Sequence, residues 1–114
     1  MKFNRFEEIL AWQKAKELSL LIYTTFSNCR DYAFRDQIQR ASISVMNNIA
    51  EGFERSSNKE FKHFLFIAKG SSAEIRSMIV IASELRYVNK ETELKIYNLS
   101  EEISKMLSGL IKTL

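Results

Sequence analysis

The 114-residue sequence has no proline and only three glycines. A sheet protein needs turn residues every few positions, so this scarcity argues against one and for long helices with few connections. The single cysteine, Cys29, excludes an internal disulfide and fits a reducing compartment. The single histidine, His63, rules out metal sites that need two or more imidazoles from one chain. No apolar run reaches membrane-spanning length. The first residues, Met1 to Glu8, are too acidic and too broken for a signal peptide. Walker loops and Gly-x-Gly-x-x-Gly motifs are missing, as are low-complexity segments, linkers and repeats at a solenoid period. These absences point to a small cytoplasmic protein.

What is present is a globular composition. Hydrophobic residues make up 46%, enough for one core in one domain spanning residues 1–114. The net charge of +3 and a pI of about 9.1 permit a polyanionic partner without demanding one.

Periodicity divides the chain into a lead-in and four helices. Phe3 and Phe6 are available to pin residues Met1 to Glu8 to the body. A first helix is expected from about Glu8 to Ser27, with Ala11, Ala15, Leu18, Ile22 and Phe26 as its apolar stripe and Trp12 as a core anchor. Asp31 is a plausible N-cap for a second helix reaching about Phe53, with Gly52 near its end as a stop. Ser57-Asn58-Lys59-Glu60 matches a capping box and starts a third helix that continues to about Tyr87. Its core stripe is Phe61, Phe64/Leu65, Ala68, Ser72, Ile75, Ile79 and Ala82. Gly70-Ser71-Ser72-Ala73, in its middle, would let a neighbouring helix approach closely. Asn89 caps a fourth helix from about Lys90 to Thr113 with a seam of Ile96, Leu99, Ile103, Met106 and Leu110. Four helices with short connections make the expected fold all-α, an antiparallel up-down-up-down four-helix bundle.

The second helix carries a polar line, Gln37, Arg40, Ser44, Asn48 and Glu51, flanked by apolar residues on both sides. That pattern predicts a helix buried on most of its circumference. Glu74 lies on a largely apolar line of the third helix, and a carboxylate there needs a partner. Arg40 is the expected one. The pair reads as a structural salt bridge, with a catalytic or ligand-binding acid as the alternative. Glu51, with Asn48 and Ser44, reads as core hydrogen bonds or as contacts between subunits.

Motifs for chemistry are thin. Glu60-x-x-His63 has the spacing of half a di-iron site, but such a site needs two of these motifs and two further carboxylates. His63 points away from the core stripe and reads as solvated. Cys29 has no motif around it and no histidine nearby in sequence. No catalytic residue, metal or cofactor is expected.

The best binding signal is a basic line. Arg55, Lys59, Lys62, Lys69 and Arg76 share one face of the junction and the third helix, with Phe66 and Ala73 in the gaps. From Lys59 to Arg76 the line runs ~25 Å at helical rise. Spaced cations beside an aromatic suit a phosphate backbone and unstacked bases. An ordinary solvated lysine face has the same pattern, and the sequence leaves both readings open.

Residue patterns along nearly all of 6–114 resemble a known family. They are Trp12-Gln13-Lys14-Ala15, Gln37-Ile38-Gln39-Arg40-Ala41, Asn48-Ile49-Ala50-Glu51-Gly52, Phe61 to Phe64, and Ala68-Lys69-Gly70-Ser71 followed by Glu74. The family is the four-helix-bundle proteins encoded in intervening sequences of bacterial 23S ribosomal RNA genes. The resemblance implies an antiparallel bundle assembling into a ring, a homopentamer. It also implies similarity to the bundle-shaped accessory proteins of diversity-generating retroelements, which bind nucleic acid, and it implies a non-catalytic role with RNA or DNA as partner. A structural or protein-interaction oligomer is the second expectation. Relatives often carry proline after the first helix and in the middle of the second. Here those positions are Ser27 and Met46, which predicts a straighter second helix.

Overall fold

The computed structural model describes residues 2–114 and is built of four helices. They are α1 (Leu10–Thr25), α2 (Tyr32–Phe53), α3 (Asn58–Glu84) and α4 (Lys90–Lys112), preceded by a 3-10 turn at Phe6–Glu8. Helix starts follow the polar residues in the sequence. Asp31 accepts from the Phe34 amide, Ser57 from the Glu60 amide and Asn89 from the Thr92 amide. Each bond satisfies an amide that lacks an intrahelical partner, at about 1 kcal/mol. At Ser57 the box is altered. Glu60 Oε2 takes the hydroxyls of Ser56 and Ser57, at 3.3 and 3.2 Å, in place of the serine backbone amide. Helix α1 starts later than its periodicity predicts, because the chain between Phe6 and Ile9 turns more tightly than an α-helix.

Each helix packs against its sequence neighbour, and α1 also packs against α4. Among the described residues the backbones of the diagonal pairs make no close approach, so the four helices stand at the corners of a square in an antiparallel up-down-up-down bundle. The molecule measures 43 × 21 × 19 Å. One buried cluster fills the axis, with Leu18, Ile22, Leu65, Ile75, Ile103 and Leu107 all fully covered. Burying each such side chain stabilises by roughly 1.5–3 kcal/mol. Phe3 and Phe6 pack on this cluster and hold the lead-in, and Phe6 meets Trp12 edge-on at 5.1 Å. Met1 lies outside the described residues.

The α3 stripe is buried at every predicted position, with Leu65 in place of Phe64. Helix α3 ends at Glu84, three residues short of Tyr87. The Tyr87 amide donates to Ala82 O at 2.8 Å and the Arg86 amide to Ser83 O at 3.0 Å, which wraps up the last turn. Arg86 takes φ 63° to do so, in a position that favours glycine. Helix α2 runs unbroken through Met46.

Two glycines have roles different from the expected ones. Gly52 is not a left-handed stop, since no glycine among the described residues has positive φ. It is buried inside α2, where an added Cβ would sit 2.6 Å from Phe64 Cβ and 3.1 Å from Phe61 Cδ1. Glycine is required there by the close approach of α3. Gly70 is exposed, and an added Cβ would meet nothing within 4 Å. No helix of this chain uses the gap at Gly70.

Candidate nucleic-acid interface

Helix α3 places the basic line on its α4 side, and the bundle divides it into engaged and unengaged cations. Arg76 goes furthest inward. Its Nη1 donates to Ser72 Oγ (3.0 Å), Ser100 O (3.2 Å) and Ser100 Oγ (3.2 Å). Both serines are fully buried, and each hydroxyl reaches the carbonyl of the other across α3 and α4. A buried carbonyl bonded this way needs its partners, so Arg76 is a core-edge donor and not a free phosphate contact. Lys69 Nζ donates to Ser108 Oγ of α4 at 2.7 Å. Arg55 pairs with Glu51 at 2.9 Å and lies 4.8 Å over the Phe64 ring.

Lys59 and Lys62 enter no ion pair among the described residues. Phe66 stands beside them, 54% exposed. The basic line thus narrows from five cations to the Lys59–Lys62 edge, with Phe66 adjacent and Lys69 tethered below it. His63 is exposed. Among the described residues, no group of three or more His, Cys, Asp and Glu is placed to hold a metal ion.

The polar line of α2 is also rearranged. Arg40 does not pair with Glu74. Gln37 Nε2 donates to Glu74 Oε2 at 3.0 Å instead, while Arg40 is exposed at the rim of the same notch. Glu74 is only half-buried, so a neutral amide and water suffice to solvate it. Ser44 shares a 2.8 Å hydrogen bond with Ser71 of α3, and Asn48 Nδ2 donates back to Ser44 O and Oγ. Only this middle of the line faces inward. Gln37, Arg40 and Glu51 are exposed, so α2 is covered around most of its circumference only in its middle, where Asn47 is the one exposed residue between Ala41 and Ala50. Glu51 is a surface partner of Arg55, a pair of small net worth at that exposure.

Two further surfaces stand out: the first follows the apolar line of the third helix that carries Glu74 with Ile67, Ile81 and Leu85, and the second has no counterpart in the sequence reading. On α3, Ile67, Ile81 and Leu85 are 39–50% exposed on the side of Gly70, with Val80 exposed on its other flank. Apolar side chains outside the core stripe carried this signal. Between α1 and α2, a groove of about 310 Å³ is lined by Tyr23, Asp36, Gln39, Arg40 and Ile43. Nearby, at the start of α2, Tyr32 is 60% exposed, with the Arg35 guanidinium 4.8 Å from its ring centre. The four-residue spacings from Tyr32 to Asp36 and on to Arg40 put these side chains on one face of α2.

At the loop end of the bundle, the Tyr87 hydroxyl donates to Asp31 Oδ2 at 2.7 Å. That bond, with the Phe34 amide, holds the Asp31 carboxyl below the usual range. The Tyr87 phenol is pushed above its usual value, first by the same bond. Glu93, 7% exposed in the first turn of α4, is held low by the Ser83 hydroxyl and by Lys90, whose Nζ lies 3.1 Å away.

These features define a square, antiparallel four-helix bundle with basic and apolar surface strips and no assembled catalytic group among the described residues. Residues 7–109 match the 23S rRNA-intervening sequence protein family, and the chain belongs to it. A similar solved structure is a protein with unknown function from the S23 ribosomal protein family of Bacteroides thetaiotaomicron VPI-5482. It is 26% identical, with a TM-score of 0.84 over 90% of this chain and 98% of that one. No curated protein matches this chain. Among the described residues, no helix is long and apolar enough to cross a membrane.

Proposed function

We propose that this chain is a non-catalytic, self-assembling protein that binds RNA or DNA along the Lys59–Lys62 edge of α3. The observation that carries the reading is the outward face of α3. Ile67, Ile81 and Leu85 are exposed along the side of α3 that carries Gly70, with Val80 exposed on its other flank. An apolar strip of this kind marks a contact surface. The occupant is a second copy. Between α1 and α4 runs a mostly apolar groove of about 330 Å³, lined by Phe3, Ile9, Leu10, Met106 and Leu110 among others, with Glu8 as its one charged residue. A projecting strip and a receiving groove are unlike patches, and unlike patches associate head to tail, forming a ring where the rotation between subunits closes. A homopentamer is the assembly proposed.

Assembly would repeat the Lys59–Lys62 edge and its Phe66 around the ring. Repetition turns two or three weak phosphate contacts per subunit into a multivalent surface. The place of action is the cytoplasm, in keeping with the lone thiol of Cys29.

Light scattering tests the assembly, with Gly70→Glu as the disrupting variant. A monomer for the natural chain across micromolar concentrations refutes it. Fluorescence anisotropy with a labelled single-stranded RNA across a salt series tests the binding. The natural chain should show a steep loss of affinity with salt, and Lys59→Glu/Lys62→Glu should flatten it. A protein-interaction oligomer predicts instead weak binding that no single face controls.

A further inference from the structure

We infer that the outer groove between α1 and α2 is a second nucleic-acid contact, one that takes an unstacked base on Tyr32 and a phosphate on Arg40. The inference rests on the nucleic-acid reading above but uses a different face of the bundle. Tyr32 presents more open aromatic surface than any other tyrosine among the described residues, at 60% exposure. The Arg35 guanidinium lies 4.8 Å from its ring centre and is itself held by Asp36, at 3.0 Å. A ring braced from one side and open on the other is a stacking platform. Every base has a flat face, so such a platform is tolerant of sequence.

The groove beside it supplies complementary groups. Arg40 reaches neither Glu74 nor Asp36 within ion-pair distance. It is exposed and lines the groove with Tyr23 and Gln39. Tyr23 is 43% exposed, a second aromatic face across the groove. The one carboxylate in the groove, Asp36, is already paired with Arg35, so its repulsion of a phosphate is damped. Gln39 adds an amide that can both donate to and accept from a base edge. Aromatic faces, an unpaired guanidinium and a bifunctional amide suit a single strand with its bases turned out. A duplex buries those faces and gains nothing from Tyr32.

The test uses the full chain and a fluorescein-labelled, mixed-sequence 20-nucleotide single-stranded RNA, read by anisotropy across a salt series. Tyr32→Ala is expected to weaken binding about 5- to 150-fold, the range for losing one stacked base, while Tyr32→Phe retains it. Arg40→Gln is expected to reduce the salt slope by about 0.7, the loss of one phosphate contact on a single strand. A 2-aminopurine in the strand should be quenched by the natural chain and much less by Tyr32→Ala. Both side chains are exposed, so the variants should fold, which circular dichroism verifies. Unchanged affinity in Tyr32→Ala and Arg40→Gln, with loss only in Lys59→Glu/Lys62→Glu, overturns the groove and leaves the α3 edge standing. No binding by the natural chain overturns both. Competition by polyglutamate as strong as by RNA of equal charge also overturns it, since stacking would then contribute nothing.

Discussion

Replacing Gly52 by alanine would press directly on the α2–α3 contact. On propensity alone the change should stabilise α2, by up to ~1 kcal/mol. The geometry opposes it. The new Cβ would lie 2.6 Å from Phe64 Cβ and 3.1 Å from Phe61 Cδ1. Carbon atoms pack best at about 3.5–4.0 Å, so a separation of about 1 Å must be found. Phe64 Cβ is fixed to its backbone and cannot swing away as a side-chain tip would. The helices must part, and the Phe53–Phe61 edge contact at 6.0 Å lies beside the same spot. Overpacking of this kind costs about 1–3 kcal/mol, and the tight case belongs at the upper end. The net loss is about 1–2 kcal/mol, or a fall of about 4–8 °C in melting temperature at this chain length. Gly70→Ala is the control. Its Cβ meets nothing within 4 Å, so the propensity gain of up to ~1 kcal/mol should appear in full. Both are measured by urea unfolding followed by circular dichroism, at several protein concentrations so that self-association is separated from chain stability. A Gly52→Ala variant as stable as the natural chain would refute the packing argument.

Three further outcomes are expected. Arg86→Gly should stabilise by about 0.5–1 kcal/mol, because glycine accepts the positive φ without a Cβ clash, and a fall in the urea midpoint would contradict this. Tyr87→Phe should return the Asp31 carboxyl toward its ordinary value, seen by carbon NMR titration of the side chain. The native Asp31 value is depressed, so its contribution is present above the ordinary carboxylate range and lost as pH falls through the depressed value. The natural chain should therefore exceed the variant in stability at neutral pH, and the two should converge in acid. Arg76→Gln should destabilise by about 1–3 kcal/mol through the buried Ser72–Ser100 group while leaving the salt slope of RNA binding unchanged. A flatter slope would return Arg76 to the binding face.

The sequence carried the bundle because helical periodicity and polar caps are local. Asp31, Ser57 and Asn89 announce their helices within three residues, and the α3 stripe from Phe61 to Ala82 follows from spacing alone. The site was harder to read, because its determinants are distances between helices. Spacing put Arg76 in line with Lys62 and Lys69, yet the line runs along the edge of α3 that faces α4, where a long side chain can bend inward to a serine. Arg40 and Glu74 were matched by charge, but Gln37, nearly one turn before Arg40 toward the helix start, is the side chain that reaches Glu74. Gly52 was read from the backbone freedom of glycine, whereas its cause lies beyond any local rule, in the Phe64 Cβ on another helix. Gly70 was assigned a close neighbour, and the chain supplies none.

The Ser72–Ser100 exchange bears on how this bundle finds a single arrangement. Leucine and isoleucine pack almost equally well after one helix slides a turn along another, and a bundle held by them alone would have several near-equal alignments. Each serine answers the other's carbonyl only at one setting of α3 against α4. Sliding by a turn would break both buried hydroxyl–carbonyl bonds and part the Arg76 guanidinium, at the core edge, from its partners, at about 1–3 kcal/mol for each buried group left unpaired. Three small polar contacts thus work as a keyed joint, and the apolar residues around them are free to drift in sequence as long as volume is kept.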